Sequence, residues 1–446
     1  MPRRTLAGWG NYPRLECDVR QVEDSDRVAA AIDPRGTIAR GLGRSYGDPA
    51  LVGDGTVLDL TAMDRFLAFD EATGELTCEA GASLEAIIDA FTPRGFFPAI
   101  TPGTKYVTVG GCIANDIHGK AHHADGTFAE CVRRFDLLLA SGEVVTCSRE
   151  DNADLFWATF GGVGLTGLVL RATITLRPIE TTFFHQEAIV VHDLAELLAA
   201  LDDNDARFPY SVAWIDPLAT GGALGRGVLT VGDHASREAL PAPLQRSPLR
   251  LHAGPLLSVP FEMPSFALNP VTLRLLNLVL GTVQSHGAPI AHYEKFFYPL
   301  DAIGDWNRGY GPRGFTQYQF VIPLEDGERR MRAILEKIAT SGQKPFLNVL
   351  KKMGPEGGGL LSFPAEGYTF AIDFPIARGL RALCAELDAM VIDAGGRVYL
   401  GKDAFLQPAS LPAMYPRLDA FREIKARVDP DDVFRSHLSS RVGLTR

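Results

Sequence analysis

The sequence has few cysteines, and their spacing suits neither a metal site nor a disulfide framework. Its 446 residues contain six cysteines and no Cys-x-x-Cys pair. The six are Cys17, Cys78, Cys112, Cys131, Cys147 and Cys384. Structural zinc sites and small disulfide scaffolds need paired or regularly spaced cysteines. We therefore predict no metal site and interpret the thiols as free and buried.

Long apolar runs and a positive net charge are also missing. No stretch of 18 apolar residues occurs, so no transmembrane helix is expected. The start, MPRRTLAGWGNYPRLE, has two arginines but no apolar run behind them, so we expect no secretory signal. These features predict a cytoplasmic or membrane-peripheral protein. A formal net charge of -10 argues against general nucleic-acid binding, although one local basic pocket for a phosphate remains compatible with it.

The length of the chain predicts two domains, because 446 residues are more than one hydrophobic core ordinarily holds. Up to about residue 178, short strands alternate with glycine-rich turns, and a helix is predicted at Ser83–Phe91 with Ser83 as its N-cap. Longer elements follow, with strands predicted at Gly314–Val321, Phe346–Lys351 and Tyr368–Phe374 and helices at Gly327–Thr340 and Leu380–Ala394. The character of the pattern therefore changes after Pro178.

Two glycine-rich loops have the composition of phosphate-binding turns. The first is Arg40-Gly41-Leu42-Gly43-Arg44-Ser45-Tyr46-Gly47, and the second, Gly162-Val163-Gly164-Leu165-Thr166-Gly167, is a literal G-x-G-x-x-G. A Rossmann fingerprint needs a helix directly after the loop, but strand-like residues follow both. We reject that fold. The glycines alone leave two interpretations open: a backbone cradle for a pyrophosphate, or tight turns in a β-rich domain.

Further motifs give a collinear pattern along nearly the whole chain. The segment 102–120, PGTKYVTVGGCIANDIHGK, combines small residues with one histidine, and LFWATFGGVGLTG follows at 155–167. Later motifs are WNRGYGPRGF (306–315), QYQFVIP (317–323), FLNVLK (346–351) and YLGKD (399–403). Together with GRSYGD (43–48), they resemble the vanillyl-alcohol-oxidase-type FAD family. Within that family, they are similar to the oxidase subunits of decaprenylphosphoryl-β-D-ribose 2′-epimerases.

The resemblance implies an α+β, two-domain FAD-linked oxidase fold. A PCMH-type FAD-binding domain would comprise residues 1–182 and return at 397–446, with an antiparallel-sheet substrate domain inserted at 183–396. The implied reaction is FAD-dependent oxidation of the 2′-hydroxyl of a polyprenyl-phosphoryl-β-D-ribose. A separate short-chain NAD(P)H-dependent reductase would complete the epimerisation to the arabinose form used in cell-envelope glycans. A quinone or O2 would reoxidise the flavin. The resemblance also adds the periplasmic face of the membrane as an alternative location.

The resemblance also implies which residues form the site. The cofactor would contact Arg40, Gly41, Leu42, Gly43, Arg44, Ser45, Tyr46 and Gly47, then Pro102, Gly103, Thr108, Val109, Gly110, Gly111, Asn115, Ile117, His118 and Gly119, and finally Val169, Tyr399 and Lys402. The catalytic candidates are Lys402, His118, Tyr46 and Gln319. The substrate candidates are Lys351 for the phosphate, Gln319, Trp214, Thr369 and Ala371. By residue type alone, a surface lysine, a structural loop histidine and a core tryptophan would be the ordinary interpretations.

Two positions depart from the family pattern. Arg44 stands where covalent flavoenzymes of this fold carry a histidine, and a guanidinium cannot form the 8α bond, so we predict non-covalent FAD. Ala371 and Thr369 stand where many members have cysteine and asparagine. Because alanine carries no nucleophile, covalent inhibitors of that thiol should fail here.

An apolar, proline-containing segment at 251–280 is interpreted either as a mobile lid for a lipid-linked substrate or as an ordinary buried insertion. Two other functions remain open from the sequence. One is an oxidase of a free sugar, alditol or lactone on the same fold. The other is a non-catalytic flavin-binding or scaffold subunit.

Overall fold

The structure is a computed structural model that describes residues 3–251, 254, 257–264 and 288–445. The predicted lid falls largely on residues 265–280, which lie outside the described residues. The part of it that is described includes Leu257 and Phe261, and both side chains are exposed.

A small mixed sheet begins the described chain. Its strands are β1 (Arg3–Ala7), β2 (Arg14–Gln21), β3 (Thr37–Arg40) and β4 (Thr56–Asp59), in the order β1-β2-β4-β3, with a helix at Ser25–Ala31. β1 and β2 are antiparallel, whereas β4 pairs in parallel with β2 and β3. The first glycine loop leaves the end of β3. No helix follows it before β4, as the sequence predicted.

A second sheet is antiparallel. Its strands are β5 (Phe66–Asp70), β6 (Glu75–Glu79), β7 (Phe96–Pro98), β8 (Val132–Leu138), β9 (Val144–Ser148) and β10 (Leu168–Pro178), in the order β5-β6-β10-β8-β9 with β7 also on β10. Its helices are Leu84–Phe91, Val109–Ala114, His122–Asp125 and Ala153–Thr159. The G-x-G-x-x-G loop runs directly into β10, which confirms the rejection of a Rossmann fold.

The third sheet is also antiparallel and carries the second half of the chain. Its strands are β11 (Phe183–Val191), β12 (Tyr210–Ile215), β13 (Gly227–His234), β15 (Ile290–His292), β17 (Phe315–Ile322), β18 (Asn348–Met353), β19 (Gly367–Pro375) and β20 (Arg397–Val398). The order is β15-β11-β13-β12-β18-β19-β17-β20. A separate parallel pair is formed by β14 (Leu257–Ser258) and β16 (Ile303–Gly304).

One face of this third sheet is covered by helices. Side chains from Leu194–Asn204, Gly327–Thr340 and Leu380–Asp393 form one apolar cluster with alternate residues of the central strands, such as Phe320 on β17 and Ile372 on β19. Since side chains alternate along a strand, the residues between them face the opposite side. That opposite face carries the polar residues of the candidate site. Short helices also occur at Ala242–Gln245 and Tyr293–Phe297.

The C-terminal segment contacts the first sheet. Its helices are Leu411–Met414, Leu418–Val428 and His437–Arg441. Thr37 of β3 donates its N–H to the carbonyl of Val433 at 2.7 Å. Arg441 forms ion pairs with Asp48 at 2.7 Å and with Asp403 at 2.9 Å. These contacts support the proposal that the tail returns to the FAD-binding domain, and the boundaries at 182 and 397 stay a prediction.

Candidate active site

The first glycine loop packs so closely on its neighbours that side chains would not fit at two positions. A Cβ at Gly41 would lie 2.2 Å from the Oγ1 of Thr108, and one at Gly47 would lie 1.8 Å from the carbonyl oxygen of Asp403. The loop therefore touches both the 102–120 segment and the C-terminal tail. Glycine allows this approach because it has no Cβ.

The other residues of this loop differ in their contacts and in their exposure to solvent. Arg40 is partly buried and donates from Nη2 to the carbonyl of Ala7 at 2.7 Å, while Leu42 is 36% exposed. Gly43 has a φ of 65°, a conformation that favours glycine. The guanidinium of Arg44 stacks over Trp9 at 4.1 Å. The carbonyl oxygen of Ser45 accepts the N–H of Trp9 at 2.7 Å.

The 102–120 segment contains a short helix that the sequence analysis missed. It spans Val109–Ala114 and begins at Thr108, whose Oγ1 accepts the N–H of Gly111 at 3.2 Å. A Cβ at Gly110 would lie 3.0 Å from the Cβ of Ala80, so the helix lies directly on the second sheet. The threonine of Thr-Val-Gly-Gly is a favoured N-cap and indicates the start of a helix. The two glycines have low helix propensity and indicate a loop instead.

Several predicted cofactor residues are apolar or have no close neighbour among the described residues. Ile117 and Val169 belong to the apolar core of the second sheet. An added Cβ at Gly103 would meet nothing within 4 Å among the described residues, so this position makes no close approach. Pro102 precedes it in the same loop. For these four positions, as for the other predicted cofactor residues, the role stays a prediction.

His118, Gln319 and Thr369 form a buried hydrogen-bonded chain between two sheets. The Nε2 of Gln319 lies 3.2 Å from both the Nε2 of His118 and the Oγ1 of Thr369. Thr369 donates its hydroxyl to the carbonyl of Phe320 at 2.8 Å, so it must accept from the Gln319 amide. The second amide hydrogen then points to the Nε2 of His118. The proton of the neutral imidazole therefore belongs on Nδ1, and burial lowers the pKa of His118 well below its usual value.

Tyr399 ties the same histidine to the helix at Val109–Ala114. Its hydroxyl donates to the carbonyl of Asn115 at 3.0 Å, and its ring lies 5.4 Å from that of His118. Its backbone N–H donates to the carbonyl of Gln319 at 2.9 Å. Asn115 donates from Nδ2 to the carbonyl of Gly111 at 2.9 Å. The C-terminal strand end, the helix and β17 thus meet around His118.

A second chain of polar contacts connects Lys402 with β17 and β19. Its Nζ donates to the Oε1 of Gln317, and the Nε2 of Gln317 donates to the Oδ1 of Asp373 at 2.6 Å. The hydroxyl of Tyr310 donates to the Oδ2 of Asp373 at 3.0 Å. Burial lowers the pKa of Lys402 to about 8 and raises that of Asp373 to about 7. The Nζ of Lys402 also lies 5.2 Å from the ring centroid of Tyr46, and burial raises the pKa of that hydroxyl well above its usual value.

The remaining substrate candidates share this face of the sheet. Ala371 lies opposite Gln319 in the register, and Thr369 lies opposite Lys351. Lys351 donates from Nζ to the carbonyl of Gly119 at 3.3 Å. Trp214, on β12, is buried, and its Nε1 has no hydrogen-bond partner among the described residues.

Gln317, Asp373 and Tyr310 are polar residues of the centre that the sequence analysis did not single out. A signal was present: Gln317 and Gln319 alternate with apolar residues in one strand, and Thr369, Ala371 and Asp373 do so in another. When polar and apolar residues alternate in a strand that is buried on both faces, the polar side chains all point to one face of the sheet. Such a buried polar face indicates a functional site, because buried polar groups need partners.

The residues present fit an FAD. The first loop lies directly against the start of the Val109–Ala114 helix, where Gly41 approaches Thr108. Among the described residues, three buried polar atoms around them have no partner in the protein: the Oδ1 of Asn115, the Nδ1 of His118 and the Oε1 of Gln319. Buried polar groups require hydrogen bonds, and a bound polar ring system would supply them. No cluster of at least three potential His, Cys, Asp or Glu metal ligands is found in the described part of the chain, and its six thiols are free and buried.

Comparison with known proteins decides the family. Residues 19–148 match the model of an FAD-binding domain, and residues 315–442 match that of D-arabinono-1,4-lactone oxidase. The decaprenylphosphoryl-β-D-ribose oxidase of Mycolicibacterium smegmatis is 41% identical over 451 residues, covering 99% of this chain and 98% of the relative. The chain belongs to the decaprenylphosphoryl-β-D-ribose oxidase family. It is an FAD-dependent oxidoreductase with the two-domain FAD oxidase fold that the sequence predicted.

More distant relatives of this family also match. An uncharacterised protein of Streptomyces coelicolor is 38% identical over 371 residues, which are 81% of this chain and 100% of that protein. L-gulono-1,4-lactone dehydrogenase of Mycobacterium tuberculosis is 23% identical over 459 residues, with 97% and 98% covered. In the part of the chain that the structure describes, no helix has the length and apolar character needed to cross a membrane.

Proposed function

We propose that this chain oxidises the 2′-hydroxyl of a polyprenyl-phosphoryl-β-D-ribose to the 2′-ketone, as the first half of an epimerisation to the arabinose form used in cell-envelope glycans. The name of the 41% identical relative supports the substrate. The observation that carries the chemistry is the convergence of His118, Gln319 and Lys402 from three segments of the chain on one face of the third sheet.

The FAD is held non-covalently in this proposal. The loop at 40–47 and the helix at Val109–Ala114 would accept the cofactor through backbone N–H groups, as glycine-rich turns do for anions. Arg44, in place of the histidine of covalent relatives, stacks on Trp9 and offers no imidazole. Tyr399 and His118 would lie beside the ring system.

When bound, the FAD supplies the acceptor for the hydride from the carbinol carbon. Lys402 takes the proton of the substrate hydroxyl on Nζ, since burial keeps the pKa of this amine near neutrality. Gln317 fixes the amine through Oε1, and Asp373 fixes Gln317 through Oδ1. The ammonium that results carries positive charge where the reaction develops negative charge.

Neighbouring groups orient the reactants. His118 remains neutral because burial lowers its pKa, and its Nδ1–H is a free donor toward the cofactor or the substrate. Tyr46 keeps its hydroxyl proton at neutral pH and can donate it. Gln319 positions His118 and offers Oε1 as an acceptor for a sugar hydroxyl.

The substrate lies against the strands in this proposal. Lys351 binds the phosphate, Trp214 forms an apolar wall, and Thr369 and Ala371 line the sugar site. The exposed Leu257 and Phe261 offer apolar surface for the lipid and for peripheral contact with a membrane. A short-chain NAD(P)H-dependent reductase then reduces the ketone to the arabinose epimer. A quinone or O2 accepts the electrons of the reduced flavin.

Anaerobic mixing of the FAD-loaded chain with farnesylphosphoryl-β-D-ribose tests this function. We expect bleaching of the flavin absorbance and formation of the 2′-ketone, identified by mass spectrometry after borodeuteride trapping. A 2′-deoxy analogue is the matched control and should leave the flavin oxidised. Bleaching by neither sugar would overturn the proposal.

The second candidate, oxidation of a free sugar, alditol or lactone, is favoured by the match of residues 315–442 to the lactone oxidase model. Arabinono-1,4-lactone, gulono-1,4-lactone and xylitol are the compounds to test. Turnover of one of these without turnover of the phosphoribose would favour this candidate over the first.

A further inference from the structure

The buried lysines Lys105 and Lys425 in the described part of the chain have acidic partners, whereas the partly buried Lys120, Lys351 and Lys402 have none. Lys402 donates to Gln317 in the proposed catalytic centre, and the other two lie outside that chain of contacts. The Nζ of Lys105 donates to the Oε1 of Glu294 at 2.6 Å, and that of Lys425 donates to Asp429. In the described chain, neither Lys120 nor Lys351 has a carboxylate oxygen within 4.0 Å. Their amines donate only to backbone carbonyls, those of Phe296 and Gly119.

An ammonium without an anion is unfavourable in a desolvated site, and burial lowers the pKa of both lysines to about 7. Lys120 also lies 4.8 Å from the ring centroid of Phe296, a contact that favours its charged form only in part. Proteins rarely bury amines in this way unless a ligand or reaction uses them. A bound anion would supply the charge partner that both ammonium groups lack.

His122 adds a donor with a fixed orientation. Its Nδ1 accepts the backbone N–H of Gly354 at 3.0 Å, so the neutral ring carries its proton on Nε2. Burial keeps the ring neutral by lowering its pKa to about 3. The Nε2 is buried and has no partner among the described residues. An unmade hydrogen bond of this kind costs about 1–3 kcal/mol, so a ligand acceptor is expected.

The chain brings these three groups together. Lys120 and His122 are two residues apart, directly after Gly119, whose carbonyl accepts the amine of Lys351. Gly354, which fixes His122, follows Lys351 by three residues on the same strand end. The rings of His118 and His122 lie 6.2 Å apart, so the pocket adjoins the proposed catalytic residues.

We propose that Lys120 and His122 complete, with Lys351, a pocket for the phosphodiester of the substrate. This inference rests on the proposed function and names the residues that recognise its phosphate. Two ammonium groups and one N–H supply donors for the two free oxygens of a phosphodiester. The pocket selects a phosphorylated sugar over a free one before oxidation occurs.

The test compares two substrates on the FAD-loaded full chain: farnesylphosphoryl-β-D-ribose and farnesyl β-D-riboside, which lacks the phosphate. Lys120→Met and His122→Asn should each raise KM for the phosphodiester about tenfold, the value of one charge-assisted hydrogen bond. The KM for the riboside should stay within about twofold, and kcat for both substrates should change less than KM. His122→Asn keeps an acceptor for Gly354, so it separates the donor role from a structural one.

Lys352→Met is the matched control. Lys352 adjoins Lys351 but pairs with Asp202 and Asp205, both at 2.7 Å, so its loss should change neither KM. Equal increases in KM for both substrates in Lys120→Met and His122→Asn, or no increase for the phosphodiester, would overturn the pocket.

If the wild-type chain oxidises neither substrate, the proposed function fails and the pocket is tested by binding alone. Farnesyl phosphate is then titrated into the holoprotein while the flavin spectrum is followed. The pocket predicts binding that is about tenfold weaker in Lys120→Met and His122→Asn than in Lys352→Met. Equal affinities in all three would overturn it.

Discussion

The amine of Lys402 and the carboxylate of Asp373 are joined through one side-chain amide, that of Gln317. Lys402 donates to Oε1 of this amide, and Nε2 of the amide donates to Asp373 at 2.6 Å. The amide dipole is therefore fixed in one orientation. It holds the lysine in place without forming a direct ion pair that would keep the lysine permanently charged.

Replacement of Lys402 by methionine should lower kcat about a hundredfold or more, because it removes both the proton acceptor and the positive charge near the reacting atoms. The measurement is anaerobic flavin reduction by farnesylphosphoryl ribose at saturation. Lys352→Met is the control, and FAD content must match the wild type. A kcat within about threefold of wild type would contradict the assigned role.

The pH profile distinguishes a base from a permanent cation. Burial lowers the pKa of Lys402 to about 8, and the nearby carboxylate of Asp373 opposes this shift. If the neutral amine takes the proton, kcat/KM rises with pH and levels off above about 8. A decrease above that pH would show that the ammonium form is the active one. Asp373→Asn should move the inflection to lower pH, since it removes the opposing charge.

Much of the fold could be predicted from local signals. The helix at Gly327–Thr340 has the predicted bounds, and Ser83 is the N-cap of the helix at Leu84–Phe91, because periodicity and capping residues agree there. The sequence did not indicate the helix at Val109–Ala114, because its two glycines have low helix propensity. In the structure, close packing of Gly110 on Ala80 compensates for that low propensity. That compensation is a tertiary effect, which local pattern does not show.

The site could be predicted only in part. The resemblance named His118, Gln319, Lys351 and Lys402, but not the contacts between them. Gln317 lies opposite Asp373 only because β17 and β19 pair in one register, and the partner of a strand cannot be read from its own residues. The tautomer of His122 likewise depends on the N–H of Gly354, 232 residues away.

One glycine substitution should destabilise the fold, whereas another should have no effect. In Gly47→Ala the Cβ would lie 1.8 Å from a backbone carbonyl oxygen that cannot move freely, so we expect a loss of about 3 kcal/mol or more in unfolding free energy and loss of bound FAD. Gly222→Ala adds the same methyl group where nothing lies within 4 Å among the described residues, and it should change neither. Thermal unfolding and flavin absorbance after gel filtration measure both. Equal behaviour of the two variants would contradict the close packing of Gly47 on Asp403.

Precipitation with acid should release the flavin. We propose that Arg44, at the position of the covalent histidine, leaves FAD bound only by contacts that unfolding removes. The supernatant after trichloroacetic acid treatment should therefore be yellow and contain FAD by chromatography. A yellow pellet would show a covalent bond from another residue and contradict the interpretation of Arg44.

Lys351→Met should weaken substrate binding but stabilise the apo fold, and the stabilisation should depend on pH. The lysine has a pKa of about 7 when folded and an ordinary value of 10.5, so the unfolded chain binds the extra proton between these values. Unfolding free energy therefore rises with pH across that window, because the cost of burying this amine is fully present below pH 7 and disappears toward 10.5. The methionine variant lacks this cost. Its advantage over wild type in urea unfolding should be largest at pH 6.5 and smaller at pH 9.5, whereas Lys352→Met should show no such advantage. An advantage of Lys351→Met that does not change with pH would mean that the amine is solvated in the folded chain.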